Sequence, residues 1–101
     1  EQQMLAVARA LVSQPKLLLI DEMSLGLAPI IVERMLPTVR DIADRTGCAV
    51  LLVEQHIHVA LGISDRAYVM SHGEMVLSGD AADLAGRRDL LEASYLGEAA
   101  L

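Results

Sequence analysis

Apolar and polar positions along the chain fall into short periods that predict alternating helices and strands. Residues 1–14 place Met4, Ala8 and Leu11 on one helical stripe, widened by Leu5, Val7 and Val12, so this segment reads as a helix. Pro15 ends it, because proline has no N–H to extend the hydrogen-bond ladder. Leu17-Leu18-Leu19-Ile20 is a continuous apolar run, the pattern of a strand covered on both faces. Asp21 and Glu22 follow at its end, and residues 23–28 read as a loop, with Gly26 free to take unusual backbone angles. Pro29 suits the first turn of a second helix, whose inner stripe is predicted as Ile31, Met35, Val39 and Ile42. Arg40 with Asp44 and Asp41 with Arg45 stand at i,i+4 and face water. Pro37 lies inside this helix and predicts a kink or a break, and Gly47 closes it.

Residues 49–53 form a second continuous apolar strand, with Glu54, Gln55 and His56 at its end. A short helix over 57–63 follows, then strands over 66–71 and 74–78 joined by a tight turn at His72-Gly73. Gly79 is expected to break the second of these strands, and Asp80 to cap a helix over 81–96 that is interrupted near Gly86. The order is helix, strand, helix, strand, helix, hairpin, helix. Such alternation argues for a layered α/β fold with a parallel sheet. In sheets of that kind, ligands gather outside the carboxyl ends of the strands. Both polar clusters, Asp21-Glu22 and Glu54-Gln55-His56, fall at those ends.

Composition narrows the classes. The chain has 101 residues, enough for one domain at roughly 100–200 residues each. Apolar residues make up 53% of it and the only aromatics are Tyr68 and Tyr95, so the core is aliphatic. That surplus implies that some apolar face is covered by something outside these residues. A net charge of −6 argues against a nucleic-acid footprint, which needs clustered Lys and Arg, and against adhesion to an anionic membrane. Cys48 is the single cysteine, which excludes an internal disulfide, and its apolar setting reads as a buried, inert thiol. No apolar run approaches the ~20 residues a transmembrane helix needs. The start carries neither a signal peptide nor an initiator Met, and reads as the middle of a longer gene product. His58 and His72, with no carboxylate or thiol cluster beside them, read as solvated residues. The Met residues at 4, 35, 70 and 75 read as core, and Asp89, Glu92 and Glu98 as a solvated face.

Two neighbouring carboxylates at a strand end point in different directions and can take two roles. One can hold Mg²⁺, directly or through water. The other can polarise a water aimed at a phosphorus atom. Phosphoryl transfer asks for little beyond such positioning and charge neutralisation. On these residues alone, an acidic pair that merely solvates the strand end fits as well.

Several motifs in order carry a family resemblance. Leu17-Leu18-Leu19-Ile20-Asp21-Glu22 resembles the Walker B strand of ATP-binding-cassette (ABC) ATPases. Glu1-Gln2-Gln3 with Ala6-Val7-Ala8-Arg9-Ala10-Leu11 resembles the end of that family's signature motif and the helix behind it. Ser24-Leu25-Gly26-Leu27-Ala28-Pro29 resembles the D-loop, and Leu51-Leu52-Val53-Glu54-Gln55-His56 the strand and switch loop that follow. Tyr95-Leu96-Gly97 is similar to the chain end of the ATPases of branched-chain amino acid importers. The resemblance spans essentially the whole chain, so residues 1–101 are expected to be the C-terminal part of one nucleotide-binding domain.

The resemblance implies a P-loop NTPase fold, a parallel sheet with helices on both faces, plus a C-terminal β-hairpin and helix. It implies ATP and Mg²⁺ as cofactors, with Asp21 on the metal and Glu22 as the catalytic carboxylate. Gln55 and His56 would share the catalytic switch position, while Glu1 and Gln2 would touch nucleotide. Leu25, Gly26, Leu27 and Ala28 would meet a second ATPase subunit across a dimer seam. It further implies transmembrane permease subunits, an indirect link to a periplasmic or extracellular solute-binding protein, no nucleic acid, and a peripheral place on the cytoplasmic face of the inner membrane. The function implied is ATP hydrolysis that powers import of branched-chain or related amino acids. The alternatives are a non-transport member of the same superfamily and a non-catalytic α/β module.

Three positions depart from the family pattern. Met23 stands where a Pro usually follows the catalytic Glu, and Ala28 where the D-loop usually has Asp. The usual switch histidine falls on Gln55, with His56 one step later. Adjacent positions on a strand point apart, so one of the two is expected to face the nucleotide, and Gln55 is favoured. Gln55 can hydrogen-bond a phosphate but cannot titrate at neutral pH, whereas His56 can.

No G-x-x-x-x-G-K-[ST] loop occurs in the 101 residues, so the backbone amides and Lys that cradle phosphates are not supplied by them. The 101-residue chain by itself is therefore expected to bind Mg-ATP weakly. Isothermal titration checks this, and micromolar affinity contradicts it.

Overall fold

A computed structural model describes residues 2–87, 89 and 91, with the backbone alone for Gln2 and Gln3. The elements run α1 (Gln2–Val12), β1 (Leu17–Asp21), α2 (Pro29–Thr46), β2 (Ala49–Val53), α3 (Ile57–Ile63), β3 (Arg66–Ser71), β4 (Glu74–Asp80) and α4 (Ala81–Ala85). Two compact units divide the chain, Glu1–Ala60 and Leu61–Leu101. Among the described residues, no helix is long and apolar enough to cross a membrane.

In the first unit, β1 and β2 pair in parallel, from Leu17 opposite Ala49 to Asp21 opposite Val53. Parallel neighbours need a crossover, and α2 supplies it. The covering of the strands differs from the expectation. Leu18 and Ile20 are buried, but Leu17 and Leu19 are more than half exposed, as are Leu51 and Val53. The apolar run is continuous because both faces are built to be covered, yet these residues cover one of them. The open row accounts for the apolar surplus in the composition.

The buried stripe of α2 is Val32, Met35, Leu36 and Val39, an i, i+3, i+4, i+7 set. It is rotated from the predicted one, and Ile31 is largely exposed. Pro37 does not break α2, which continues through it to Thr46. Proline removes one N–H, but buried residues flank it on both sides, Leu36 before and Val39 after, and their burial holds the helix on course. The helix opens with Pro29 and ends on Gly47, whose φ of 72° lets its N–H reach the Ala43 carbonyl at 3.0 Å. On the outer face Arg40–Asp44 and Arg45–Asp41 pair, each at 3.1 Å. In α1, Val7 is buried while Leu5 and Val12 are exposed. That helix stops at Val12, before Pro15, and Gln14 turns to a φ of 52°. Cys48 is buried, as read from its setting.

In the second unit, β3 and β4 form an antiparallel hairpin. His72 and Gly73 both take positive φ at its turn, the twist-matched geometry for a two-residue loop. Gly79 does not break β4, which pairs through Asp80 opposite Arg66. Asp80 precedes α4 but makes no side-chain cap, and lies 3.9 Å from Arg66 instead. Helix α4 is short and gives way at Gly86, as the interruption there predicts. Met70 and Met75 sit on the hairpin with most of their surface exposed, which overturns their reading as core. His58 and His72 are exposed, as expected. Tyr95-Leu96-Gly97, Glu92 and Glu98 lie outside the described residues.

Leu36 is fully buried at the centre of the α2 stripe. Leu36→Ala is expected to destabilise the folded protein by about 2 to 5 kcal/mol through lost burial and a residual cavity. Urea unfolding followed by circular dichroism measures the loss.

Candidate functional site

The site grows out of the last rung of the parallel ladder. Asp21 ends β1 opposite Val53, and its side chain is exposed. The Glu22 N–H then donates to the Val53 carbonyl at 2.8 Å, one step past the paired strands. Glu22 takes a φ of 48°, a left-handed conformation that costs a non-glycine residue about 1 kcal/mol or more. This bend turns the chain off the strand line, so Asp21 and Glu22 leave the sheet edge in different directions. Two backbone turns follow, with Leu25 N–H to the Glu22 carbonyl at 3.1 Å and Leu27 N–H to the Ser24 carbonyl at 2.9 Å. Gly26, at φ 79°, completes the loop. Met23 is buried, so the residue in the usual proline position anchors this loop in the core.

The loop after β2 meets this one. The Gln55 amide Nε2 donates to Glu22 Oε1 at 3.0 Å, joining residues 33 apart in sequence. His56 turns elsewhere: its Nδ1 lies 3.0 Å from Glu54 Oε1 and 2.9 Å from Ser24 Oγ. The two adjacent side chains thus serve different partners, and Gln55 is the one beside Glu22. A cleft of about 160 Å³ opens between Glu22 with residues 24–27 on one side and Glu54, Gln55 and His56 on the other. Sites that enclose a whole small molecule run to about 300–1,000 Å³, so this cleft is too small to enclose one. Leu25 is exposed at its rim and Leu27 partly so. Glu1 lies outside the described residues, as does the side chain of Gln2.

Sequence reasoning passed over Glu54 as more than a member of a polar cluster. Its side chain is 1% exposed, and Oε1 accepts hydrogen bonds from Ser24 Oγ, from Gln55 N at 3.0 Å and from His56 N at 3.2 Å. Oε2 is buried with no hydrogen-bond partner. A signal was available. Positions 50, 52 and 54 share one face of the extended chain, and Val50 and Leu52 are the more buried residues of β2. Ser24 is likewise 3% exposed, the buried polar residue of its loop.

This network assigns its own protons. The Glu54 carboxylate only accepts, so the Ser24 hydroxyl proton points at it, and Ser24 Oγ can then only accept from His56. The Nδ1 of His56 must carry a hydrogen shared between Glu54 and Ser24. His56 is therefore unable to remove the Ser24 proton through that nitrogen, and the Ser–His–Glu trio is no nucleophilic triad. Burial by itself raises the Glu54 pKa. Hydrogen bonds from Ser24, from the His56 ring and backbone, and from the Gln55 backbone outweigh it, and the pKa sits below the ordinary glutamate value.

Asp21 and Glu22 supply hard carboxylate oxygens, the donors that Mg²⁺ takes. Among the described residues there is no group of three or more His, Cys, Asp or Glu arranged to hold a metal.

Known proteins share this chain's sequence and fold. It is 48% identical over 97 residues to the high-affinity branched-chain amino acid transport ATP-binding protein BraG of Pseudomonas aeruginosa, covering 96% of this chain and 41% of that protein. It is 32% identical over 99 residues to the corresponding protein LivG of Escherichia coli, covering 98% and 38%. The chain thus spans about two fifths of the length of these relatives. Among solved structures, the ADP conformation of MJ1267, an ATP-binding cassette of an ABC transporter, superposes with a TM-score of 0.75 at 25% identity, covering 95% of this chain and 39% of that one. No protein-family model matches the chain.

A carboxylate whose folded pKa is depressed stabilises the fold above its unfolded pKa, and that contribution vanishes as pH falls through the folded value. Wild type is therefore expected to lose its stability advantage over Glu54→Gln as the solution is acidified below the ordinary glutamate range. Thermal melts of both proteins from neutral to acid pH check this, and a constant difference contradicts it.

Proposed function

The chain belongs to the ATP-binding-cassette ATPase family, and on that premise we propose that it is the C-terminal part of a nucleotide-binding domain that hydrolyses ATP to drive amino acid import. The observation that carries this reading is the Gln55–Glu22 contact at the carboxyl ends of two parallel strands, 3.0 Å between side chains that the sequence separates by 33 positions. It puts a carboxylate and an amide on one rim, beside an exposed Asp21.

In this reading Glu22 orients the attacking water and accepts its proton as the phosphoryl group transfers. Gln55 has two roles. Its amide holds Glu22 in place, and it can donate to a phosphate oxygen that enters the cleft. It cannot titrate, so proton transfer stays with Glu22. Mg²⁺, when bound, neutralises phosphate charge, and Asp21 is the residue that would hold it. His56, engaged by Ser24 and Glu54, acts on the loop and not on the nucleotide. The Walker A loop and the adenine contacts come from other parts of a longer protein.

The relatives' names supply the substrate class, branched-chain amino acids. The partners of the proposed domain are a second ATPase subunit, met by residues 25–28, and transmembrane permease subunits supplied by a solute-binding protein. The domain sits peripherally on the cytoplasmic side of the membrane. Ala28 offers no carboxylate at the dimer seam, so communication across it relies on the backbone and apolar side chains of this loop.

Glu22→Gln in the full-length protein is expected to lower ATP turnover by about 10²-fold or more while leaving nucleotide binding intact. Phosphate release and equilibrium binding of a fluorescent ATP analogue measure the two arms. Normal turnover in that variant would strip Glu22 of its part in activating water.

A further inference from the structure

Past the rung between Glu22 and Val53, the two loops are joined by side chains. One join is the Gln55–Glu22 contact. The other centres on a single atom, Glu54 Oε1, which takes hydrogen bonds from Ser24 Oγ in the first loop and from Gln55 N, His56 N and His56 Nδ1 in the second. We propose that Glu54 is a positioning residue, a buried brace that ties Ser24 to the backbone of residues 55 and 56 and so holds the Gln55 side chain against Glu22. The proposal rests on the reading of Glu22 as the carboxylate that acts on water.

Three observations support it. The Gln55 N–H is bonded to the side chain of the preceding residue at 3.0 Å, which fixes the backbone torsions that aim the Gln55 side chain. The other anchor, Ser24, lies two residues beyond Glu22 in a loop whose Leu25 N–H returns to the Glu22 carbonyl. One brace thus sets the position of both members of the Gln55–Glu22 pair. Finally, the tie runs through one oxygen. Oε2 is buried with no hydrogen-bond partner, so Oε1 alone joins the two loops. The four donors converge on that oxygen, which a full carboxylate charge accommodates far better than an amide.

The proposal is tested by a double-mutant cycle on the full-length protein, with kcat and KM for Mg-ATP as readouts. Glu54→Gln keeps the shape and removes the charge; Ser24→Ala cuts the same brace at its other end. Each is expected to lower kcat, Glu54→Gln by about tenfold, with KM moving less than about twofold, since what is lost is aim and not substrate affinity. In a Gln55→Ala background neither change should lower kcat further, because the side chain through which the brace acts is gone. If both variants keep kcat within about twofold of wild type, or if their effects multiply with that of Gln55→Ala, the brace is wrong. Cooperative thermal unfolding of each variant separates aim from folding, and should Glu54→Gln fail to fold, Ser24→Ala alone decides. A wild-type protein without ATPase activity, or a fully active Glu22→Gln, overturns the functional reading and the brace together. Intact dependence on Glu22 with independent effects at Glu54 and Ser24 overturns the brace alone.

Discussion

The in-register parallel pairing of β1 with β2 is the constraint from which the site follows. Five rungs, Leu17 with Ala49 through Asp21 with Val53, end both strands at the same level. The Glu22 N–H to Val53 carbonyl bond then closes the ladder. Because side chains alternate along a strand, a slip of one residue would send every side chain to the other face. Glu54 would leave the interior, Gln55 would lose Glu22, and the acidic pair would face a different loop. The register is protected because Leu18 and Ile20 must stay buried. Apolar burial in the middle of the sheet therefore sets the chemistry at its edge.

Three carboxylates stand at that edge and differ in environment. Asp21 is exposed, Glu22 is partly covered and bonded by an amide, and Glu54 is enclosed. Glu54 stays ionised because hydrogen-bond donors replace the water it lost. An acidic rim of this kind attracts a divalent cation and repels a bare polyphosphate. Under the proposed function, nucleotide enters as its metal complex, with cationic groups supplied from elsewhere in the longer protein. The small cleft and the open row of Leu17, Leu19, Leu51 and Val53 agree with that division of labour.

His56 and Gln55 illustrate how adjacency in sequence divides into separate tasks. The chain bends at Gln55, just past β2, and Gln55 reaches Glu22 while His56 packs toward Ser24 and Glu54. The titratable ring is thereby used as a hydrogen-bond donor inside the loop framework, and the group that cannot change protonation stands beside the acidic carboxylate. That division follows the sequence expectation that one of the two side chains, Gln55, faces the site.

Local signals were enough to place most elements. Pro29, Gly47 and the His72-Gly73 pair carry their backbone preferences wherever they sit, and apolar runs bounded by polar residues mark β1 and β2 regardless of surroundings. The acidic pair at the first strand end, and its likeness to a Walker B motif, were also legible for that reason. Other features depend on what lies across space. The stripe of α2 that is buried, 32, 35, 36 and 39, was decided by the surface it meets, and its passage through Pro37 by burial around that residue. Gly79 stays in a strand because Ala67 pairs with it across the hairpin. Glu54 reads only as one member of a polar cluster at a strand end, and becomes a buried hub because a serine from another loop, a histidine ring and two backbone amides converge on one oxygen. Periodicity and backbone preference are properties of a few consecutive residues, and so the sequence alone determined them. Burial, pairing and hydrogen-bond convergence are properties of distant residues brought together, and only the tertiary structure could decide them.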